Sequence, residues 1–278
     1  IPSPNWTCVQ WLIEMIGAVP VHLNLHENLG FRFDLAELNA AITPKTKAIL
    51  INSPHNPTGG VFTRDDLRQI MSIAEQNDMY LISDEAYEHI IYEDEHVSSS
   101  SMISDFPKLK DKIISVFTFS KSYAMTGLRL GYLHTFNKAL IANMKKVVLY
   151  TANGINSVTQ WAGVAALENN QDHVFKMRDE FKSNRDILVD GINKSKYLTI
   201  KTPPKGAFYV FAKINENWPG YNNRKEDKDF CAMLIDSAQL GSTPGSIFGP
   251  NGKGYIRFSY ACSPTMVREA AKLIQTLA

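Results

Sequence analysis

Thr118-Phe119-Ser120-Lys121 follows an apolar run at residues 113–117, and Arg129 comes eight residues after Lys121 in Thr126-Gly127-Leu128-Arg129-Leu130-Gly131-Tyr132. The stretch places one amine and one permanent cation just beyond the end of a strand. An amine that condenses with an aldehyde, beside a cation that holds a phosphate, needs this kind of pairing. A lysine next to serine in a loop is otherwise simply solvated, so the reading depends on what lies around it.

Working outward, helical and strand patterns alternate. Residues 7–16 have helical spacing and stop at Gly17, and 19–25 alternate like a strand. Asp34 is placed to cap a short helix, with Glu37 completing a capping box. Residues 47–52 form a short apolar strand. Thr63-x-x-Asp66 opens an amphipathic helix through Glu75 that sets Leu67, Ile70, Met71 and Ala74 on one face. Further strands fall at 79–83, 113–117 and 130–134. Strands separated by helices of this length predict an α/β fold, with a mostly parallel sheet in three α/β/α layers. In such sheets chemistry gathers where strands end and loops begin.

The pattern changes near Gln171. A long mixed-charge helix at 171–193 precedes two short strands, 198–201 and 207–212, split by Pro203-Pro204-Lys205-Gly206. A polar stretch at 215–226, a helix at 229–239, a strand at 254–259 and a helix at 264–277 finish the chain. The expected division is a large domain over 1–170 and a smaller α+β domain over 171–278, hinged by the long helix.

The 278 residues are 44% apolar and 21% charged, with a net charge of +1, as in ordinary globular proteins. There is no long basic block, and the short run Asn223-Arg224-Lys225 is followed at once by Glu226 and Asp227, which argues against nucleic acid or an anionic membrane as main partner. Cys8, Cys231 and Cys262 are isolated, and seven histidines show no zinc spacing, so neither a disulfide framework nor a metal centre is expected. No apolar run has membrane-spanning length, and no signal peptide opens the chain. Ile1-Pro2-Ser3-Pro4-Asn5-Trp6 lacks a Met and reads as the end of a strand entering a loop, with an N-terminal part of the protein expected to be missing.

Four further segments carry candidate chemistry. Ser53-Pro54-His55-Asn56-Pro57-Thr58-Gly59-Gly60 follows a strand. Asn56-Pro57 is a good candidate for a cis bond, and Asn56 either caps a rigid turn or faces a ligand oxygen. Ser83-Asp84-Glu85-Ala86-Tyr87 ends the next strand. Asp84 either caps a helix or faces a protonated ring nitrogen, with Tyr87 in reach and Glu85 turned to the other face. Trp6, in a loop, is either core or a stacking platform. Arg257, among apolar residues in Gly254-Tyr255-Ile256-Arg257-Phe258-Ser259, either snorkels from an edge strand or clamps a carboxylate.

Asn-Pro-Thr-Gly, Asp-x-x-Tyr, Ser-Lys with an Arg eight residues on, and the late-strand Arg occur in one order along almost the whole chain. In this the sequence resembles the class I aminotransferases, fold-type I enzymes that use pyridoxal 5'-phosphate. Asp84-Glu85-Ala86-Tyr87-Glu88-His89 and Ala124-Met125-Thr126-Gly127-Leu128-Arg129 look most like the aspartate aminotransferase-like branch. The resemblance implies that Lys121 is the Schiff-base lysine and that Asp84 pairs with the pyridine nitrogen. It implies that Asn56 and Tyr87 hydrogen-bond the phenolic oxygen, and that Thr118, Ser120 and Arg129 bind the phosphate. Trp6 would stack on the ring, and Arg257, with Asn56, would hold the substrate. The implied reaction moves an amino group between an amino acid and a 2-oxo acid. The same scaffold also serves cysteine-conjugate β-elimination, or a PLP-binding regulatory domain without turnover. A cytoplasmic homodimer is implied too, with residues 150–156 reaching a neighbour's site. Members of the family carry, upstream of the segment matching Ile1, an arm and a Gly-containing helix start that also binds phosphate. Neither is in this sequence, so a chain beginning at Ile1 is expected to bind the cofactor weakly or to fold poorly alone, an expectation that falls away where a longer native protein lies behind it.

Overall fold

The computed structural model describes residues 1–93, 95–221 and 226–277. The basic run at 223–225 lies outside the described residues, as does most of the second half of the polar stretch at 215–226.

Three sheets organise the chain. β1 (Pro2–Ser3), β2 (Leu23–His26) and β3 (Arg32–Phe33) form a small mixed sheet in that order. β4 (Ala48–Asn52), β5 (Tyr80–Asp84), β6 (Ile113–Thr118) and β7 (Gly131–His134) form the second; its first three strands are parallel and β7 is antiparallel. β8 (Leu198–Thr199), β9 (Tyr209–Ile214), β10 (Thr243–Pro244) and β11 (Tyr255–Ser259) form an antiparallel sheet in the order β10-β11-β9-β8. Nine α-helices are described: α1 (Thr7–Met15), α2 (Leu35–Ala40), α3 (Arg64–Gln76), α4 (Phe119–Ser122), α5 (Lys138–Ala152), α6 (Ser157–Glu168), α7 (Asp172–Asn193), α8 (Glu226–Ala238) and α9 (Pro264–Gln275).

Each core follows from sequence periodicity. α3 buries Leu67, Ile70, Met71 and Ala74, the i, i+3, i+4, i+7 stripe, against Ile49, Ile51, Leu81 and Ile113 of the parallel strands. Its start is fixed by a complete capping box, Thr63 accepting from the Asp66 N–H and Asp66 accepting from the Thr63 N–H. A second core joins Leu188 and Ile192 of α7, Val210 and Ala212 of β9, Ile256 of β11, and Val267 and Ile274 of α9.

The crossing of α7 and α9 depends on Gly191, where an added Cβ would lie 2.6 Å from the Ala271 Cβ and 2.9 Å from its Cα. Gly191→Val is expected to destabilise the protein by roughly 1–3 kcal/mol through overpacking, read as a lower denaturation midpoint with an unchanged slope.

Several local expectations are corrected. Residues 19–22 are not strand; only Leu23–His26 pair, and Val19 and Val21 are exposed. The expected strand at 198–201 is limited to Leu198–Thr199, because only these pair with Ile214 and Lys213. Asp34 caps α2 by accepting from Ala36 and Glu37 N–H, but the Glu37 carboxylate turns to His26 at 2.9 Å instead of closing a box. α5 and α6 are absent from the sequence reading. α5 buries none of its residues and α6 only Thr159 and Gly163, so neither carries the one-sided apolar stripe that announces a helix.

Candidate active site

The parallel strands deliver the candidate residues to one place. β4 and β5 end in register at Asn52 and Asp84, and Asp84 is level with Val116 of β6. The three loops leaving these C-terminal ends carry Asn56, Tyr87 and Lys121, at the sheet edge where open α/β folds bind ligands.

The β4 loop is held rigidly. Its Ser3-Pro4 neighbour and its own Ser53-Pro54 and Asn56-Pro57 bonds are cis. Ser53 N–H and the Asn52 side chain both donate to the Asp84 carbonyl at 3.0 Å. The Asn56 N–H donates to the Asn52 side-chain oxygen at 2.9 Å. Gly59 has φ +71°, and its carbonyl accepts from Lys205 and Gly206 N–H at 2.9 and 3.1 Å. A side chain at Gly59 would run into Pro204. The loop is thereby joined to the segment that enters β9.

Arg257 projects from β11 to meet it. Its guanidinium donates to the Asn56 side-chain oxygen at 2.8 Å and lies over the rings of Tyr209 and Phe248, at 4.3 and 4.8 Å from their centroids. Burial lowers its pKa, opposed by Tyr209 and Tyr87. The Arg257 Nε is buried without a partner among the described residues. A buried, partly unpaired guanidinium favours an anion. Of the two readings of Arg257, the clamp is the one this environment favours.

Asp84 accepts one bond, from the Ala86 N–H at 3.2 Å. Burial raises its carboxyl from 3.8 to about 6; Ala86 and Lys121 oppose the shift and Glu85 adds to it. Glu85 does turn away, and its buried carboxylate meets His96 Nε2 at 2.8 Å and the Ser98 hydroxyl at 3.1 Å. Lys121 lies in the single turn of α4, which Thr118 caps by accepting from the Ser120 N–H. Its amine sits 5.9 Å from the Tyr87 ring centroid and 5.6 Å from that of Phe208. Burial lowers its pKa, followed by Arg257 and Arg129, with Asp84 opposing. A lowered amine is a better nucleophile near neutral pH.

The remaining candidates are less enclosed. Arg129 is exposed in a left-handed conformation, φ +53°, with its guanidinium donating to the Thr126 carbonyl at 2.8 Å. Trp6 is 44% exposed, and lines an open cleft of about 510 Å³ with Asn5, His22, Ser246 and Phe248. No described ring contact involves it. His55, treated as unremarkable by its spacing, is fully buried: its Nδ1 meets the Thr58 hydroxyl at 2.8 Å, and burial lowers its pKa to about 3. Tyr209 and Phe208 escaped the sequence reading. Phe208 immediately precedes β9 and Tyr209 opens it, some fifty residues before the Arg257 strand, and the group facing Tyr209 is fixed only by sheet pairing. Among the described residues no group of three or more His, Cys, Asp or Glu is placed to hold a metal ion.

A carboxyl raised to about 6 by burial, an amine with no hydrogen bond or ion pair among the described residues and a guanidinium with its Nε unpartnered among them thus converge, a donor set that suits a ligand carrying a basic ring nitrogen, an aldehyde and acidic oxygens. Together with the sheet they define a transferase of the α/β fold-type I class. The chain belongs to the aminotransferase class I and II family, whose model matches residues 1–274. It is 37% identical over 273 residues to the aspartate aminotransferase of Pyrococcus abyssi, covering 97% of this chain and 67% of that protein. It is 35% identical over 272 residues to aromatic-amino-acid aminotransferase 2 of Thermococcus litoralis, again covering 97% and 67%. The solved aspartate aminotransferase of Rhizobium meliloti superposes with a TM-score of 0.90 at 34% identity, covering 99% of this chain and 68% of that one. The aromatic aminotransferase of Pyrococcus horikoshii superposes at 0.88 with 33% identity, covering 99% and 71%. The chain spans about two thirds of the length of these relatives. By family it is a transaminase, and the family uses pyridoxal phosphate.

Proposed function

We propose that Lys121 is the lysine that binds pyridoxal phosphate in this chain and serves the transfer of an amino group between an amino acid and a 2-oxo acid. The observation that carries the reading is the convergence of the Lys121 amine, with no hydrogen bond or ion pair among the described residues, and the Asp84 carboxyl held near 6. They stand at the ends of adjacent parallel strands, close enough for each charge to act on the other.

When bound, pyridoxal phosphate supplies an aldehyde that condenses with amines and a ring that draws electrons from the substrate Cα. Asp84 holds the proton on the ring nitrogen. Tyr87 and Asn56 donate to the phenolic oxygen. Thr118, Ser120 and Arg129 hold the phosphate, and Trp6 covers the ring. Arg257 orients the substrate α-carboxylate, steadied by Asn56. With the cofactor bound, the Lys121 Nζ would be the base placed to take the proton from the substrate Cα and to give it back within the bound ligand. The order of events gives ping-pong kinetics.

The same reading takes 1–170 as the cofactor domain and 171–278 as the small domain with its linking helix, in a cytoplasmic homodimer. Exposed Val147, Val148, Leu149, Tyr150, Ile155, Val158 and Trp161 on α5, α6 and the turn between them support a covered face in the assembled protein. No described helix is long and apolar enough to cross a membrane.

Addition of single amino acids to the cofactor-loaded protein tests the reading, because a reactive donor changes the cofactor absorbance in a half-reaction. Arg257→Leu is expected to raise KM for the donor roughly 100-fold, because the carboxylate loses a charge-assisted bidentate partner worth a few kcal/mol. Initial-rate kinetics at varied donor concentration check this.

A further inference from the structure

Tyr209 touches both Tyr87 and Arg257. It is buried, and β9 pairs with β11 so that Ser259 faces Tyr209 and Arg257 faces Phe211. Tyr209 is therefore diagonal to Arg257 on one face of the sheet. Its ring lies under the Arg257 guanidinium at 4.3 Å. Its hydroxyl is 3.1 Å from the Tyr87 hydroxyl, with the two rings edge-to-face at 5.9 Å. Tyr209 is the only hydrogen-bond partner of the Tyr87 hydroxyl among the described residues.

We infer that Tyr209 is a positioning residue that braces Arg257 through its ring and, through its hydroxyl, donates to Tyr87 so that the Tyr87 proton points toward the ligand. The inference rests on the functional reading above. Two hydroxyls at this distance share one proton between them. With the Tyr209 proton in that bond, the Tyr87 proton is left for an acidic oxygen, and a chain of such bonds strengthens each donor. The ring acts separately: a guanidinium stacked on an aromatic face is attracted by its quadrupole, and more strongly when shielded from water. The charged groups facing Tyr87 are Asp84 of β5, Lys121 of α4 and Arg257 of β11.

Two variants separate the two roles. The pyridoxal-phosphate-loaded protein is titrated by its visible absorbance band, and its kinetics with an amino-acid donor are measured. Tyr209→Phe keeps the ring and removes the donor. It is expected to move the midpoint of the absorbance titration upward by about half a pH unit, a threefold change in proton affinity, because Tyr87 becomes a weaker donor. Its KM for the donor should stay near that of the unaltered protein. Tyr209→Leu removes the ring as well, and is expected to raise KM roughly five- to tenfold with kcat little changed. A Tyr209→Phe titration superimposable on the unaltered one, or a Tyr209→Leu variant with unchanged KM, would overturn the corresponding role. A Tyr209→Leu variant that melts well below the unaltered protein leaves Tyr209→Phe to decide. If the unaltered protein forms no borohydride-sensitive band with pyridoxal phosphate, the functional reading fails, not the assignment of Tyr209.

Discussion

Lys121→Ala is expected to reduce kcat roughly 10⁴-fold or more and to remove the borohydride-sensitive absorbance band, while leaving the fold intact. Two losses combine in this variant. The chain loses the amine that condenses with the cofactor aldehyde, and it loses the base that moves the Cα proton, an acid–base contribution that alone is typically 10²–10⁴-fold. The fold should survive because the Lys121 amine makes no hydrogen bond or ion pair among the described residues and is held only over the faces of Tyr87 and Phe208, while its backbone carbonyl, which accepts from Ala124, is kept in the variant. The single turn it occupies is capped by Thr118, not by the lysine. Steady-state rates and near-ultraviolet circular dichroism of the variant check both halves of the expectation. A small exogenous amine should restore part of the rate, since it replaces the base without replacing the tether.

Asp84→Asn is expected to slow turnover roughly 10³-fold and, in the cofactor-free protein, to raise stability at alkaline pH. The rate loss follows because an amide cannot hold the ring-nitrogen proton electrostatically, and preorganised groups of this kind are commonly worth 10²–10³-fold. The stability gain comes from the sign of the Asp84 shift. Burial raises the carboxyl in the folded chain from 3.8 to about 6. Below the ordinary carboxyl range both folded and unfolded chains hold the proton, and the group costs nothing. Between 3.8 and about 6 only the unfolded chain gives it up, so stability contributed by this group falls as pH rises. Above about 6 the full penalty is present, at most about 3 kcal/mol. The amide removes it, so Asp84→Asn should melt higher than the unaltered protein at pH 8 and alike at pH 4. Loading with cofactor should erase the difference, because the ring cation compensates the charge.

The parts of the fold legible in the sequence are those whose pattern is local. Thr63 and Asp66 announce α3 by themselves, and the apolar stripe after them agrees with the core it enters. The parallel strands β4, β5 and β6 read as short apolar runs, and their Ile49, Ile51, Leu81 and Ile113 enter the core. The ends of those strands are where Asn56, Asp84 and Lys121 fall, so their neighbourhood was readable from the order of the motifs. α5 and α6 were not, since exposed Val148, Tyr150 and Trp161 share their helices with lysines and polar groups and leave no single buried stripe. Tyr209 was invisible for another reason. Its contact with Tyr87 spans 122 positions, and its place under Arg257 depends on the antiparallel register of β9 and β11, which no local pattern specifies. Residues 19–22 alternate as a strand does, yet lack a partner strand among those described, and pairing overrode the pattern.

The central claim is that Lys121 is the point of attachment. The direct measurement is to load the protein with pyridoxal phosphate, reduce it with borohydride, digest it and map the pyridoxyl group by peptide mass spectrometry. The label is predicted on Lys121, in the peptide that contains Phe119 and Ser120, and it should be lost when a reactive amino acid is added before reduction. A label on another lysine, with Lys121 unmodified, would contradict the account.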